Sequence, residues 1–183
     1  MRGAERLAWP LWMLSVGLLV AAVSLGAAEL DLGSWLELLV GLAFATVGGL
    51  LGSRRPANPI GWLFAGWGAV MALDVFTQNY VRHGLVDHPG SLPGGGWLAW
   101  ALTTLWHPAF MLLVLVMLLF PHGRLPSPRW RPLAWLVVAG YTALAVAAAL
   151  SPAAMRLYFP HVSPIVRGAA RHPHRPAPRA GHP

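Results

Sequence analysis

Two residue types are absent from this sequence, and charge is scarce. The 183 residues include no cysteine, and all 13 basic side chains other than histidine are arginine, so lysine is missing as well. Without cysteine the chain has no disulfide, no thiolate metal site and no cysteine nucleophile. Charged residues make up only 10%, whereas a soluble domain carries about a quarter. The composition therefore argues against a soluble protein.

Long apolar runs take the place of charge. Hydrophobic residues make up 56% of the chain, which also holds 10 tryptophans, a residue enriched where membrane helices meet the headgroups. A helix needs about 20 predominantly apolar residues to cross a bilayer. Five runs predict an all-α integral membrane protein with a helical membrane domain over 1–150 and five transmembrane helices at 8–28, 35–52, 60–81, 97–120 and 133–150.

The first run has a rival interpretation. Arg2 and Arg6 precede it and Gly26-Ala27-Ala28 closes it, an arrangement that a cleaved signal peptide also has. Its apolar part is longer than the core of a typical signal peptide. We therefore expect a retained first helix with the N-terminus inside.

Arginine sets the expected orientation. Two linkers between apolar runs, 53–59 and 121–132, are rich in arginine and proline. Because arginine close to a span stays on the cytoplasmic side, both linkers predict a multi-pass protein of the cytoplasmic (inner) membrane. The same arginines suit contact with anionic lipids or docking of a cytoplasmic partner. They are Arg54, Arg55, Arg124, Arg129 and Arg131.

The net charge of +7 and the basic C-terminal segment are the remaining features that bear on partners and topology. Most arginines before the tail lie at span ends, so orientation explains them and we expect the lipid bilayer, not nucleic acid, as partner. By the parity of five spans, 151–183 would lie outside, and its Arg, Pro and His content predicts a disordered tail. The His172-Pro173-His174 tract lacks a rigid frame, so neither a metal nor another cofactor is predicted.

Small residues in the second run recur at three- and four-residue spacing. Such a face lets another helix backbone approach closely. Glycine is also common in membrane helices generally, and the sequence leaves both interpretations open. The residues are Gly41, Ala45, Gly48, Gly49 and Gly52.

Polar side chains within the spans gather in the outer half and predict a site there. Asp74 lies about six residues, roughly 9 Å, from the outer end of the third span, and His107 about ten residues, roughly 15 Å, below that of the fourth. Ionisable groups in hydrocarbon are functional candidates by default. At similar depths the two could pair, and Asp74 would then tune the charge of His107. The predicted signal pocket between helices two, three and four is lined by Glu37, Asp74, Thr77, Gln78, Thr103, Thr104 and His107, with Asn79 nearby.

These residues also have a purely structural interpretation. Pro108 removes a backbone donor and frees the carbonyl of Thr104, so His107 and the threonine hydroxyls would only repair the helix. Asp74 would only cap the helix or reach toward the interface. The sequence does not decide between the two interpretations.

Two motifs carry a family resemblance. The stretches RRPANPIGW, Arg54 to Trp62, and LLFPHGRLPSPRWRP, Leu118 to Pro132, resemble the membrane input region of sensor histidine kinases from high-GC bacteria. In that family several helices precede a cytoplasmic dimerisation helix and a kinase core. No position here matches a kinase residue, so the resemblance implies a sensor-like membrane piece without an output. A truncated or frame-shifted kinase is one hypothesis, which the downstream DNA would test.

Three functional classes follow from these observations. The first, which the resemblance favours, is a non-catalytic sensor in signal transduction, acting as a homodimer or with a partner kinase. The second is a membrane-embedded enzyme that uses Asp74 and His107, but no third polar partner or nucleophile motif accompanies them. The third is a small transporter, which would want paired broken helices, whereas only the fourth run is interrupted by proline deep in the span. We therefore predict a sensor and no enzyme.

Overall fold

Five long helices make up the fold. The computed structural model describes 2–26 and 32–151, with side chains from Leu7 onward, and each helix is long and apolar enough to cross a membrane. The predicted all-α class is confirmed, and the protein is a multi-pass membrane protein. The predicted disordered tail lies outside the described residues except for Ser151. The helices are α1 (Arg2–Gly26), α2 (Leu32–Arg54), α3 (Pro59–Arg82), α4 (Gly95–Leu119) and α5 (Arg131–Ala149).

Each helix begins before the apolar run that predicted it, and α2 and α3 also end beyond theirs. After α3 the backbone continues as a π-helical segment, His83–Asp87, between the third and fourth predicted spans. A hydrogen bond from the Tyr80 hydroxyl to the Pro93 carbonyl, 2.8 Å long, ties the following turn back to α3. Gly94, at φ +75°, turns the chain into α4. Hydropathy marks where the apolar side chains stop, whereas the helix ends where its backbone bonds stop.

The third helix is the centre of the bundle. Helices α1, α2 and α4 all pack against α3, and α5 packs against α4. No described residue of α5 is buried, so this helix forms the edge of the bundle. One buried cluster joins α1, α2 and α3 through Leu19, Ala22, Leu38, Ala72 and Val75. A second joins α3 and α4 through Val81, Ala99 and Leu102.

The small residues of α2 are where the α2 and α3 backbones meet. A methyl group added at Gly48 would overlap the backbone of Ala65, and one added at Gly68 of α3 would overlap that of Ala45. Gly49 is the exception, because it faces Trp12 of α1. In lipid, close backbone approach of this kind supplies much of the packing energy between helices. The close-approach interpretation of the small-residue face is therefore confirmed.

The two arginine-rich linkers meet at one end of the bundle, which we call the arginine end. Asn58 caps α3, since its side chain accepts a hydrogen bond from the Ile60 backbone N–H at 3.1 Å. Gly123, in the other linker, packs directly against Asn58 and Pro59 at φ +70°, where a side chain would be strained. The five predicted arginines, Arg54, Arg55, Arg124, Arg129 and Arg131, are all exposed here. None forms an ion pair with another described residue.

Candidate functional site

Helix α3 supplies the most deeply buried polar side chains of the predicted pocket. Asp74 is 2% exposed and Thr77 is 1% exposed. Asp74 directly precedes Val75, which packs on α1 and α2. Thr77 shares a side of α3 with Val81, four residues on, which packs on α4. Asp74 therefore lies at the seam between the faces that α3 presents to α2 and to α4.

The Asp74 carboxyl group is only half satisfied. Gln78 Nε2 donates a hydrogen bond to Asp74 Oδ2 at 2.8 Å. The other oxygen, Oδ1, is buried and has no hydrogen-bond partner within the described ranges. An unpaired buried polar atom costs about 1–3 kcal/mol, and more when it is charged. Such an atom in a native protein marks strain, a functional role, or a missing water or ion.

Helix α2 brings a second carboxyl group to this seam. Leu38 packs in the same cluster as Val75, so the start of α2 is level with the Asp74 turn of α3. Glu37, directly before Leu38, is half-buried and interacts electrostatically with Asp74. The structure therefore places Glu37 at the level of Asp74, at the start of α2.

Helix α4 adds a buried hydroxyl at the same level. Val81 shares a buried cluster with Ala99 in an antiparallel pair of helices, so Thr103, four residues after Ala99, is close to the level of Thr77, four residues before Val81. Thr103 is 5% exposed. Asp74 lies three residues from Thr77, which is less than one helical turn of about 5.4 Å. The seam therefore brings together Glu37, Asp74, Thr77, Gln78 and Thr103, which we call the polar seam.

Both threonine hydroxyls of the polar seam use their protons on their own helices. Thr77 Oγ1 donates to the Leu73 carbonyl and Thr103 Oγ1 donates to the Trp100 carbonyl, each at 2.7 Å. A hydroxyl oxygen that has donated its proton keeps lone pairs for a further partner. The polar seam thus presents oxygen lone pairs and negative charge.

Thr104 belongs to another side of α4 than Thr103. Trp100 Nε1 donates to the Ala149 carbonyl at 2.6 Å, so this side of α4 faces α5. Thr104 follows Trp100 by four residues and shares its side, whereas His107 follows Trp100 by seven residues and Thr103 by four and so lies between the two sides. His107 is level with Asp74 within about one turn, as predicted, but no hydrogen bond joins their described side chains.

The environment of His107 agrees with the structural interpretation of this residue. Pro108 lies inside α4 and cannot donate to the Thr104 carbonyl, yet the helix continues from Gly95 to Leu119. His107 Nδ1 lies 3.2 Å from the Thr104 carbonyl oxygen and donates to it, because a carbonyl only accepts. The side chain before the proline thus replaces the missing backbone donor.

Sequence reasoning overlooked one polar tie beyond the predicted pocket. His83 Nδ1 lies 3.1 Å from the Leu25 carbonyl and donates to it, which links the end of α1 to the π-helical segment. A histidine just after an apolar run looks like an ordinary loop residue, and the sequence carries no signal that it reaches another helix. The bond ties the end of α1 to the segment that follows α3.

Comparison with known proteins adds no relative to this picture. No family model, no curated protein and no solved structure matches the chain. The assignment to multi-pass membrane proteins therefore comes from the five apolar helices alone.

Proposed function

We propose that this protein is a non-catalytic sensor of the cytoplasmic membrane, which binds a signal from outside the cell at the polar seam. The observation that carries the proposal is Asp74 Oδ1, a carboxylate oxygen buried among apolar helices with no described partner. Ionisable groups are rare within membrane spans and mostly serve binding or relay functions there. The resemblance of the two linkers to the input region of sensor histidine kinases supports the same function.

Helix α3 connects the polar seam directly to the arginine end. Helix α3 carries Asp74 near one end, and Asn58 caps its other end beside Gly123. A displacement of α3 at the polar seam would therefore move the junction of both linkers. Five exposed arginines at that junction suit an acidic cytoplasmic partner, and the resemblance makes a kinase, or a second copy of the chain, the expected one.

The two other functional classes receive less support from the geometry. An enzyme that uses Asp74 and His107 as a pair needs them within hydrogen-bond reach of one reacting atom, whereas the described bonds of Asp74 go to Gln78 of α3 and those of His107 to the Thr104 carbonyl of α4. A transporter with a midplane site is expected to have paired broken helices, whereas α3 and α4 are both continuous. Purified protein that turns over a lipid, or transports a solute into liposomes, would reverse this ranking.

The proposal is tested in the native host by replacing one oxygen. Asp74→Asn removes the charge and keeps the shape of the side chain, so it should insert normally and change the set of transcribed genes to that of a deletion strain. Thr104→Val is the matched control, because it removes a polar group of α4 outside the polar seam and should resemble wild type. Equal membrane abundance is verified by immunoblotting. An Asp74→Asn strain with a wild-type transcript profile would contradict the proposal.

A further inference from the structure

We infer that the polar seam binds one dehydrated monovalent metal cation, coordinated by Asp74 Oδ1 and the oxygens of Thr77 and Thr103. This inference deepens the proposed function, since it names the class of ligand for the same site. It starts from the unpartnered Asp74 Oδ1, and it is argued from the protons, charges and space around that atom.

Most of the side-chain protons around Asp74 already take part in hydrogen bonds. Gln78 donates to Oδ2, and the Thr77 and Thr103 hydroxyls donate to backbone carbonyls of their own helices. A ligand with a donor group or a positive charge would complete Oδ1, whereas the negative charges of Asp74 and Glu37 would repel an anion. The chemistry of the site therefore selects a cation.

Charge balance favours a single positive charge. Buried charges in proteins are paired or bound to metals, because an isolated ion in a low-dielectric region is costly. The described part of the polar seam has no arginine, and Arg82 interacts with Asp87 beyond it at 3.8 Å. Asp74 is the one fully buried acid there, while Glu37 is half-buried. One monovalent cation bound to Asp74 makes the buried part of the polar seam electrically neutral.

The donor set and the space exclude other cations. Among the described side chains no three His, Asp or Glu residues group together, which transition metals and calcium commonly need. Asp74, Thr77 and Thr103 are at most 5% exposed, which leaves little access for an organic amine or a hydrated magnesium ion. An alkali ion needs only hard oxygen ligands, and carboxylate, hydroxyl and amide oxygens supply them here.

The binding test uses the purified full chain in detergent or nanodiscs. Thermal unfolding is followed in NaCl, in KCl and in choline chloride at equal ionic strength. A ligand that binds only the folded state raises the unfolding midpoint with its concentration. We expect NaCl or KCl to raise the midpoint above that in choline chloride, with a saturating dependence, and Asp74→Asn to abolish this difference.

Two threonines provide a matched pair of variants. Thr103 and Thr104 both donate to the carbonyl three residues earlier at 2.7 Å, but only Thr103 lies in the polar seam. Thr103→Val should weaken the apparent affinity for the ion by tenfold or more, whereas Thr104→Val should leave it unchanged. Because each loses the same kind of local bond, a general loss of stability would affect both.

The result that overturns the inference is equally direct. Identical midpoints in NaCl, KCl and choline chloride for the wild-type chain would exclude the ion, and so would an ion response retained in Asp74→Asn. If the ion response is absent but the Asp74→Asn strain still changes its transcript profile, the sensor proposal stands with another ligand. If the wild-type protein responds to the ion but the Asp74→Asn strain has a wild-type transcript profile, the ion site stands and the sensor proposal is rejected.

Discussion

At the scale of single residues, His107 shows how a polar side chain within a span serves the helix itself. Its Nδ1–H bond to the Thr104 carbonyl replaces the donor that Pro108 lacks. His107→Ala should therefore destabilise the protein by about 0.5–1.5 kcal/mol. In a Pro108→Ala background the backbone N–H of residue 108 is restored, so the same substitution should cost much less.

A double-mutant cycle measures that difference. Unfolding free energies of wild type, both single variants and the double variant are compared in the same detergent. If His107→Ala costs the same in both backgrounds, His107 does not act through the Thr104 carbonyl.

The site itself shows what a residue pattern can and cannot predict. Depth along a span follows from counting residues, and Asp74, Thr77, Thr103 and His107 are all near the expected level. The direction in which a side chain leaves the helix axis changes by about 100° with each residue. Which neighbour a side chain faces is known only once the positions of the other helices are known. The residue pattern alone therefore does not separate Thr103, on the side of α3, from Thr104, on the side of α5.

At the scale of elements, the contact between α2 and α3 decides the packing of the bundle. Gly68 lies against the backbone of Ala45, whereas a methyl group at Gly66, on the same helix, would meet only Leu112 at an ordinary 3.6 Å. Gly68→Ala should cost about 1–3 kcal/mol through overpacking, and Gly66→Ala should be close to neutral or slightly stabilising.

The unfolding midpoints of the two glycine variants, measured side by side, test this account of the interface. Both variants change helix propensity equally, so only the neighbouring backbone distinguishes them. A Gly68→Ala protein as stable as Gly66→Ala would show that α2 and α3 do not approach closely at this point.

The pairing of elements also marks a limit of sequence reasoning. The Asn58 cap, the Pro59 start and the small-residue face of α2 follow from local residue chemistry. The central position of α3 and the edge position of α5 do not follow from local residue chemistry. They depend on helix faces whose residues come from several distant segments of the sequence. Hydropathy assigns all five helices to lipid alike.

At the scale of the whole molecule, arginine determines the proposed orientation. All five linker arginines lie at one end of the bundle, where the linkers touch, while Arg82 lies at the other. Placing the arginine end in the cytoplasm sets the polar seam toward the outside, where an external ion or signal would reach it. The sensor proposal depends on this orientation.

Cysteine labelling measures the orientation directly, because the natural chain has no cysteine to give a background. Single cysteines at the exposed positions Ala57, His122 and Ser91 leave every arginine in place. In intact cells a membrane-impermeant maleimide should label Ser91→Cys at once, and should label Ala57→Cys and His122→Cys only after the membrane is broken. Labelling of Ala57→Cys or His122→Cys in intact cells would contradict the proposed orientation.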